Sequence, residues 1–206
     1  MKTVSKVIQA KTCHRESISD AMAAKAIEFS KTVYSGCDKD DIEVEILKRL
    51  IVNLRIHLEE SERVINEMIR LAQDLPNFII LKSIPGIGDN LAARLIAEIG
   101  DMNKFKKYTQ LVAYVGIDPR INESGQDDGK HLHITKKGNK RLRCLLYLAV
   151  TCAIRLKRDD NKIKDYYIKK MQQSNPMSSK AAKIACVNKL VRIIFNMCKN
   201  GTVYQY

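Results

Sequence analysis

No stretch of the sequence approaches the roughly 18 consecutive apolar residues of a membrane-crossing helix. The start, Met1 to Lys11, lacks an apolar core of signal-peptide length. Both absences argue against a membrane protein and lead us to expect a cytoplasmic one. The six cysteines, Cys13, Cys37, Cys144, Cys152, Cys186 and Cys198, include no C-x-x-C pair. That argues against a zinc site or disulfide framework, and the last four fall in apolar helical patterns, as buried thiols do. No low-complexity tract, internal repeat or glycine-rich linker is present, and strand signals are weak. Acidic residues are scarce at one end. From Lys130 to Tyr206 there are 18 Lys and Arg but only three acids, Asp159, Asp160 and Asp165. The chain's net charge of +13 therefore lies wholly in this last stretch. A polyanionic partner is the natural physical reason for so localised an excess.

What is present is a globular composition, 45% hydrophobic and 29% charged. At 206 residues the chain suffices for one sizeable core, or a domain with a helical extension. Helical periodicity dominates. A helix is expected over 16–34, ended by Ser35-Gly36. Next, Val44, Leu47, Ile51, Leu54, Leu58, Ser61, Ile65, Met68, Ala72 and Leu75 recur every three or four residues. This heptad seam predicts a helix over 40–75, about 50 Å long. A seam that long needs a partner helix, either a second copy of the chain or the helix at 16–34. Pro76 closes this region. Helices are expected near 77–83, 89–99, 109–115, 139–157, 159–173 and 178–199, with a polar, glycine-dotted loop over 116–137. The fold class is all-α: an N-terminal helical segment at 1–39, a coiled-coil stalk at 40–76 and a compact helical domain at 77–206.

The sharpest local pattern is Ile84-Pro85-Gly86-Ile87-Gly88-Asp89, where one short apolar helix gives way to another. It reads as a helix-hairpin-helix. Gly86 and Gly88 would let the backbone approach a phosphate, and the free N–H groups of the new helix, from Ile87 to Asn90, would donate to it. Ile84 and Ile87 would anchor the turn, and Asp89 would be the N-cap. On this reading Gly86→Val weakens DNA binding and leaves the stalk folded. A tight αα-corner is the plain alternative.

Downstream, three pieces follow in order: Gln110-Leu111-Val112-Ala113-Tyr114-Val115-Gly116-Ile117-Asp118-Pro119, then Asn122-Glu123-Ser124-Gly125, then Ile134-Thr135-Lys136-Lys137-Gly138-Asn139-Lys140-Arg141-Leu142-Arg143. With the hairpin, this order resembles the C-terminal domain of the IS 110 / IS 116 / IS 902 insertion-sequence transposases, over about 78–200, and the stalk resembles their coiled-coil linker. The resemblance implies DNA transposition with Ser124 as nucleophile and a structured guide RNA. It also implies a separate RuvC-like domain whose four acids bind magnesium. No strand-rich segment with such acids is found here, so the sequence reads as a C-terminal fragment with no cofactor of its own, inactive alone.

A serine that attacks a phosphodiester must reach the backbone, which suits a loop flanked by Gly125 and Gly129. Charge gathers in the transition state, and Arg120, Lys130, Lys136, Lys137, Lys140, Arg141 and Arg143 are candidates to stabilise it and to hold DNA. Serine also needs a base or metal-bound partner. His131, Glu123 and Asp127 are open choices, each equally readable as a solvated loop residue. Thr135 is expected to cap the following helix or touch a phosphate. His131 and His133 alternate in an extended-looking segment and read as surface or phosphate contacts, with a metal role as the alternative. The alternative to a transposase fragment is a non-catalytic nucleic-acid-binding dimer, a decayed remnant or a regulator.

Overall fold

A computed structural model of the chain describes residues 2–12, 16–33, 36, 41–119, 134–157 and 160–206. Among these it shows nine α-helices and no strand: α1 (Lys2–Thr12), α2 (Glu16–Thr32), α3 (Ile42–Gln73), α4 (Pro76–Lys82), α5 (Asp89–Ile99), α6 (Tyr108–Val115), α7 (Lys140–Arg155), α8 (Lys162–Gln172) and α9 (Ser179–Asn200). The chain divides into two compact units, Met1–Glu59 and Glu60–Tyr206.

In the first unit α1, absent from the sequence expectation, packs on α2. Ser5, Ser19 and Ala23 are buried there. Small side chains set a short distance between helices. The part of α3 in this unit leaves its apolar residues in the open: Leu47, Ile51, Leu54 and Leu58 are each 41–58% exposed. Its Arg49 pairs with Glu45 at 2.7 Å on the surface, an exposed bond worth a few tenths of a kcal/mol at about one turn's spacing.

The second unit is built around α9, which touches α4, α6, α7 and α8. Cys186, Val187, Leu190, Val191 and Ile194 of α9 are buried, the three-and-four spacing of a core stripe. Leu81, Ile84, Leu95, Leu111, Leu142, Leu146 and Val150 complete the core. Pro76 does not merely close the helix before it. It stands in the first turn of α4, where its missing N–H costs nothing. Asn161 is fully buried; its side chain accepts from the N–H groups of Ile163 and Lys164, and donates to the Ala153 carbonyl at 2.8 Å. One amide thus caps α8 and ties it to the end of α7.

Of the four cysteines expected to be buried, Cys186 is, Cys152 and Cys198 are half-buried, and Cys144 is exposed. Burial pushes the thiols of Cys186 and Cys198 up to about 11, which leaves them protonated and unreactive at neutral pH.

Candidate nucleic-acid interface

The corner between α4 and α5 opens through Gly88, which is the N-cap of α5 with φ −96° and no capping side chain. A Cβ there would meet nothing within 4 Å. Gly88 and Asn90 are exposed, while Ile84 and Ile87 are buried, as anchors should be. Two expectations are corrected. Asp89 is not the cap. It lies in the first turn of α5, where its carboxylate meets Lys82 Nζ at 2.7 Å. An acid already seated at the positive end of the helix weakens that end as an anion site. Gly86 is glycine for packing rather than for a phosphate. Its φ is +90°, and a Cβ on it would lie 2.5 Å from the Ala153 nitrogen and 2.8 Å from the Ala149 carbonyl oxygen. The corner is pressed against the backbone of α7.

At the other end of α7 the chain forms a clasp. The Asn139 N–H donates to the Tyr114 carbonyl (2.7 Å), Lys136 to Gly116 (3.1 Å) and Thr135 to Asp118 (2.9 Å), and Pro119 pairs with Ile134 in an isolated bridge. Gly116 and Gly138 meet back to back: a Cβ on Gly138 would lie 2.6 Å from the Gly116 nitrogen, and even closer to the Tyr114 carbonyl. Neither glycine was expected to have a role beyond its place in a motif. The Thr135 hydroxyl donates to the Asp118 carboxylate at 2.7 Å, and Asn139, whose side chain accepts from the Leu142 N–H at 3.0 Å, is the cap of α7 in its place. Arg143 donates to the Val115 carbonyl at 2.8 Å. Its guanidinium braces the clasp, which removes it from the free cations. Lys136 has φ +56°, a conformation that costs a non-glycine residue about 1 kcal/mol or more.

The segment bearing Arg120, Ser124, Lys130, His131 and His133, with Glu123 and Asp127, lies outside the described residues. Its two ends do not. Pro119 and Ile134 are joined at the clasp, next to Lys136 and Lys137, both exposed. Just beyond, Lys140 and Arg141 line an open groove of about 630 Å³ with Arg94, Glu98 and Cys144. Arg94, one turn along the exposed side of α5 from Asn90, was missed. The signal for it was available, since Asn90, Arg94 and Glu98 are four residues apart. Glu98 is held by the Asn139 side-chain amide at 2.8 Å. Lys137, Lys140 and Arg141 take part in no ion pair among the described residues.

The expected site is therefore not one cluster. Gly86 lies against Ala149 and Ala153, whereas Lys140 begins the same helix. Nine to thirteen residues of α-helix, about 14–20 Å, separate them. Such spacing fits a row of phosphates better than a single one. No group of three or more His, Cys, Asp or Glu side chains converges among the described residues. No helix among them is long and apolar enough to cross a membrane.

This cationic all-α domain matches the family described as Transposase IS116/IS110/IS902 over residues 79–167. It is 30% identical over 155 residues to the uncharacterized 44.8 kDa protein of insertion element IS116 from Streptomyces clavuligerus, a match covering 74% of this chain and 37% of that protein. The transposase for insertion sequence element IS1111A of Coxiella burnetii is 30% identical over 125 residues, 61% of this chain and 34% of that protein. The pilin gene-inverting protein of Moraxella bovis is 30% identical over 122 residues, 59% and 37% of the two chains. The chain thus spans between a third and two-fifths of the length of these relatives.

Proposed function

We propose that the chain is the DNA-gripping part of a cytoplasmic insertion-sequence transposase or recombinase, with Ser124 as the nucleophile. The observation that carries the reading is the clasp. It brings the two ends of the serine-bearing segment beside Lys136, Lys137, Lys140 and Arg141, four exposed cations at the start of one helix. Phosphate contacts of this kind fix position on DNA without reading its sequence. The α4–α5 corner then serves as a helix-hairpin-helix whose exposed Gly88 and Asn90 reach a second part of the backbone. In the reaction the Ser124 hydroxyl bonds to phosphorus, one bridging P–O bond breaks, and the departing sugar oxygen takes a proton. Catalysis requires the metal-binding domain of the complete enzyme, and a structured guide RNA supplies the sequence reading. The open apolar face of α3 supports assembly of two copies through a coiled coil. That face also favours the second reading, a non-catalytic dimer that binds nucleic acid.

The test is binding of the chain to duplex DNA across a salt series. Four neutralised phosphates give a log–log slope of about −3.6. An affinity indifferent to salt would remove DNA from the account.

A further inference from the structure

The side of the second unit formed by α8 and α9 carries a groove that shares no residue with the interface above. Tyr166, Lys170, Met177, Asn188, Lys189 and Arg192 line it, and its volume is about 470 Å³. No carboxylate lines it, and its three cations take part in no ion pair among the described residues. Aromatic rings hold them in place. Lys189 Nζ lies 4.7 Å and Lys170 Nζ 5.4 Å from the Tyr166 ring centre, and the Arg192 guanidinium lies 4.7 Å from that of Tyr108. Arg192 is further fixed by Asn188 Oδ1, which accepts from its Nε at 3.1 Å. Lys189 donates to the Lys162 carbonyl at 3.1 Å. Cations positioned in advance lose less freedom when they meet an anion than mobile surface lysines do. Gathered without acids they also repel one another, and an incoming anion relieves that repulsion.

The remaining wall is apolar: Met177 and Ala185 beside the Tyr166 ring. An anion slot against an apolar wall suits a ligand that joins a phosphate to a flat, weakly hydrated ring. The volume is that of a small-ligand pocket, about 300–1,000 Å³, and too small for a duplex. We infer that this groove holds one unpaired nucleotide of a nucleic-acid strand. Its phosphate meets Lys170, Lys189 and Arg192, and its base lies along Met177 and the edge of Tyr166. The inference rests on the reading that the chain binds nucleic acid, and adds that part of the bound strand is unpaired. A base still in a duplex has its faces covered by its neighbours and cannot enter such a slot.

The full chain is titrated into oligothymidylate and oligouridylate of about a dozen nucleotides, and into a duplex. The wild type binds at least one of the single strands, and the better of the two shows whether the strand is DNA or RNA. The double variant Lys170→Gln/Arg192→Gln, folded with an unchanged melting temperature, binds that strand about tenfold more weakly. Its single-strand salt slope falls by up to about 0.7, the contribution of the one phosphate the groove neutralises, while duplex affinity moves by less than about twofold. Lys170→Arg/Arg192→Lys, which keeps both charges, retains single-strand binding. Three results would overturn the inference: no single-strand binding by the wild type, an unchanged affinity in the double glutamine variant, or equal weakening on strand and duplex. Failure of the wild type to bind even the duplex would instead bring down the underlying reading, and this inference with it.

Discussion

Gly86→Val is expected to destabilise the domain at 60–206 severely, and Gly88→Ala, two residues away, is expected to change little. The two glycines share a turn but not a role. At Gly86 a Cβ would sit 2.5–2.8 Å from backbone atoms of Ala149 and Ala153, which cannot swing aside as a side chain would. Valine must also adopt φ +90°, and a β-branched residue is a severe outlier there. The strain and the overpacking together cost about 4 kcal/mol or more, against a total of about 5–15 kcal/mol for a domain. At Gly88 the same Cβ would meet nothing within 4 Å and φ is −96°. Alanine at an N-cap costs about 0.5–1 kcal/mol. Thermal melts followed by circular dichroism measure both. A Gly86→Val variant that melts with the wild type would mean that α7 is not where it is described.

Ser124→Ala carries the second large effect. In a complete enzyme that includes the metal-binding domain, it is expected to abolish covalent attachment of DNA while leaving DNA affinity within about twofold. Removing the hydroxyl of a nucleophile removes the bond-forming atom itself, and in a serine protease that change lowers the rate by about a million-fold. Binding, on the proposed reading, rests on Lys136, Lys137, Lys140 and Arg141, which are untouched. The readout is a protein–DNA adduct that survives denaturation. An adduct that persists in the alanine variant moves the nucleophile elsewhere. A loss of binding in parallel would make Ser124 a binding residue rather than the attacking group.

The helical layout was legible because apolar spacing and breakers act locally. The helix expected over 89–99 is Asp89–Ile99, and the one expected over 77–83 is Pro76–Lys82. What escaped was set by contacts distant in sequence. Gly116 and Gly138 are 22 positions apart, and nothing local shows that each is glycine to admit the other's backbone. The same holds for Gly86, whose reason lies on α7, and for Arg143 and Thr135, whose polar groups are taken up by Val115 and Asp118. Helix α1 was missed because its packing on α2 involves small residues such as Ser19 and Ala23 rather than a large apolar stripe. The cationic character of the start of α7 was legible, since charge adds up along the chain. That the candidate residues fall at separate places along α7 was not.

The most direct test of that arrangement is the salt dependence of duplex binding by Lys140→Gln/Arg141→Gln. Both side chains are exposed, so the fold and its melting temperature should stand. If the start of α7 holds the DNA backbone, the log–log slope becomes shallower by about 1.8, at about 0.9 for each phosphate no longer neutralised, and affinity at low salt falls accordingly. A slope and affinity equal to those of the wild type would show that DNA, if bound at all, is held by some other face of the protein.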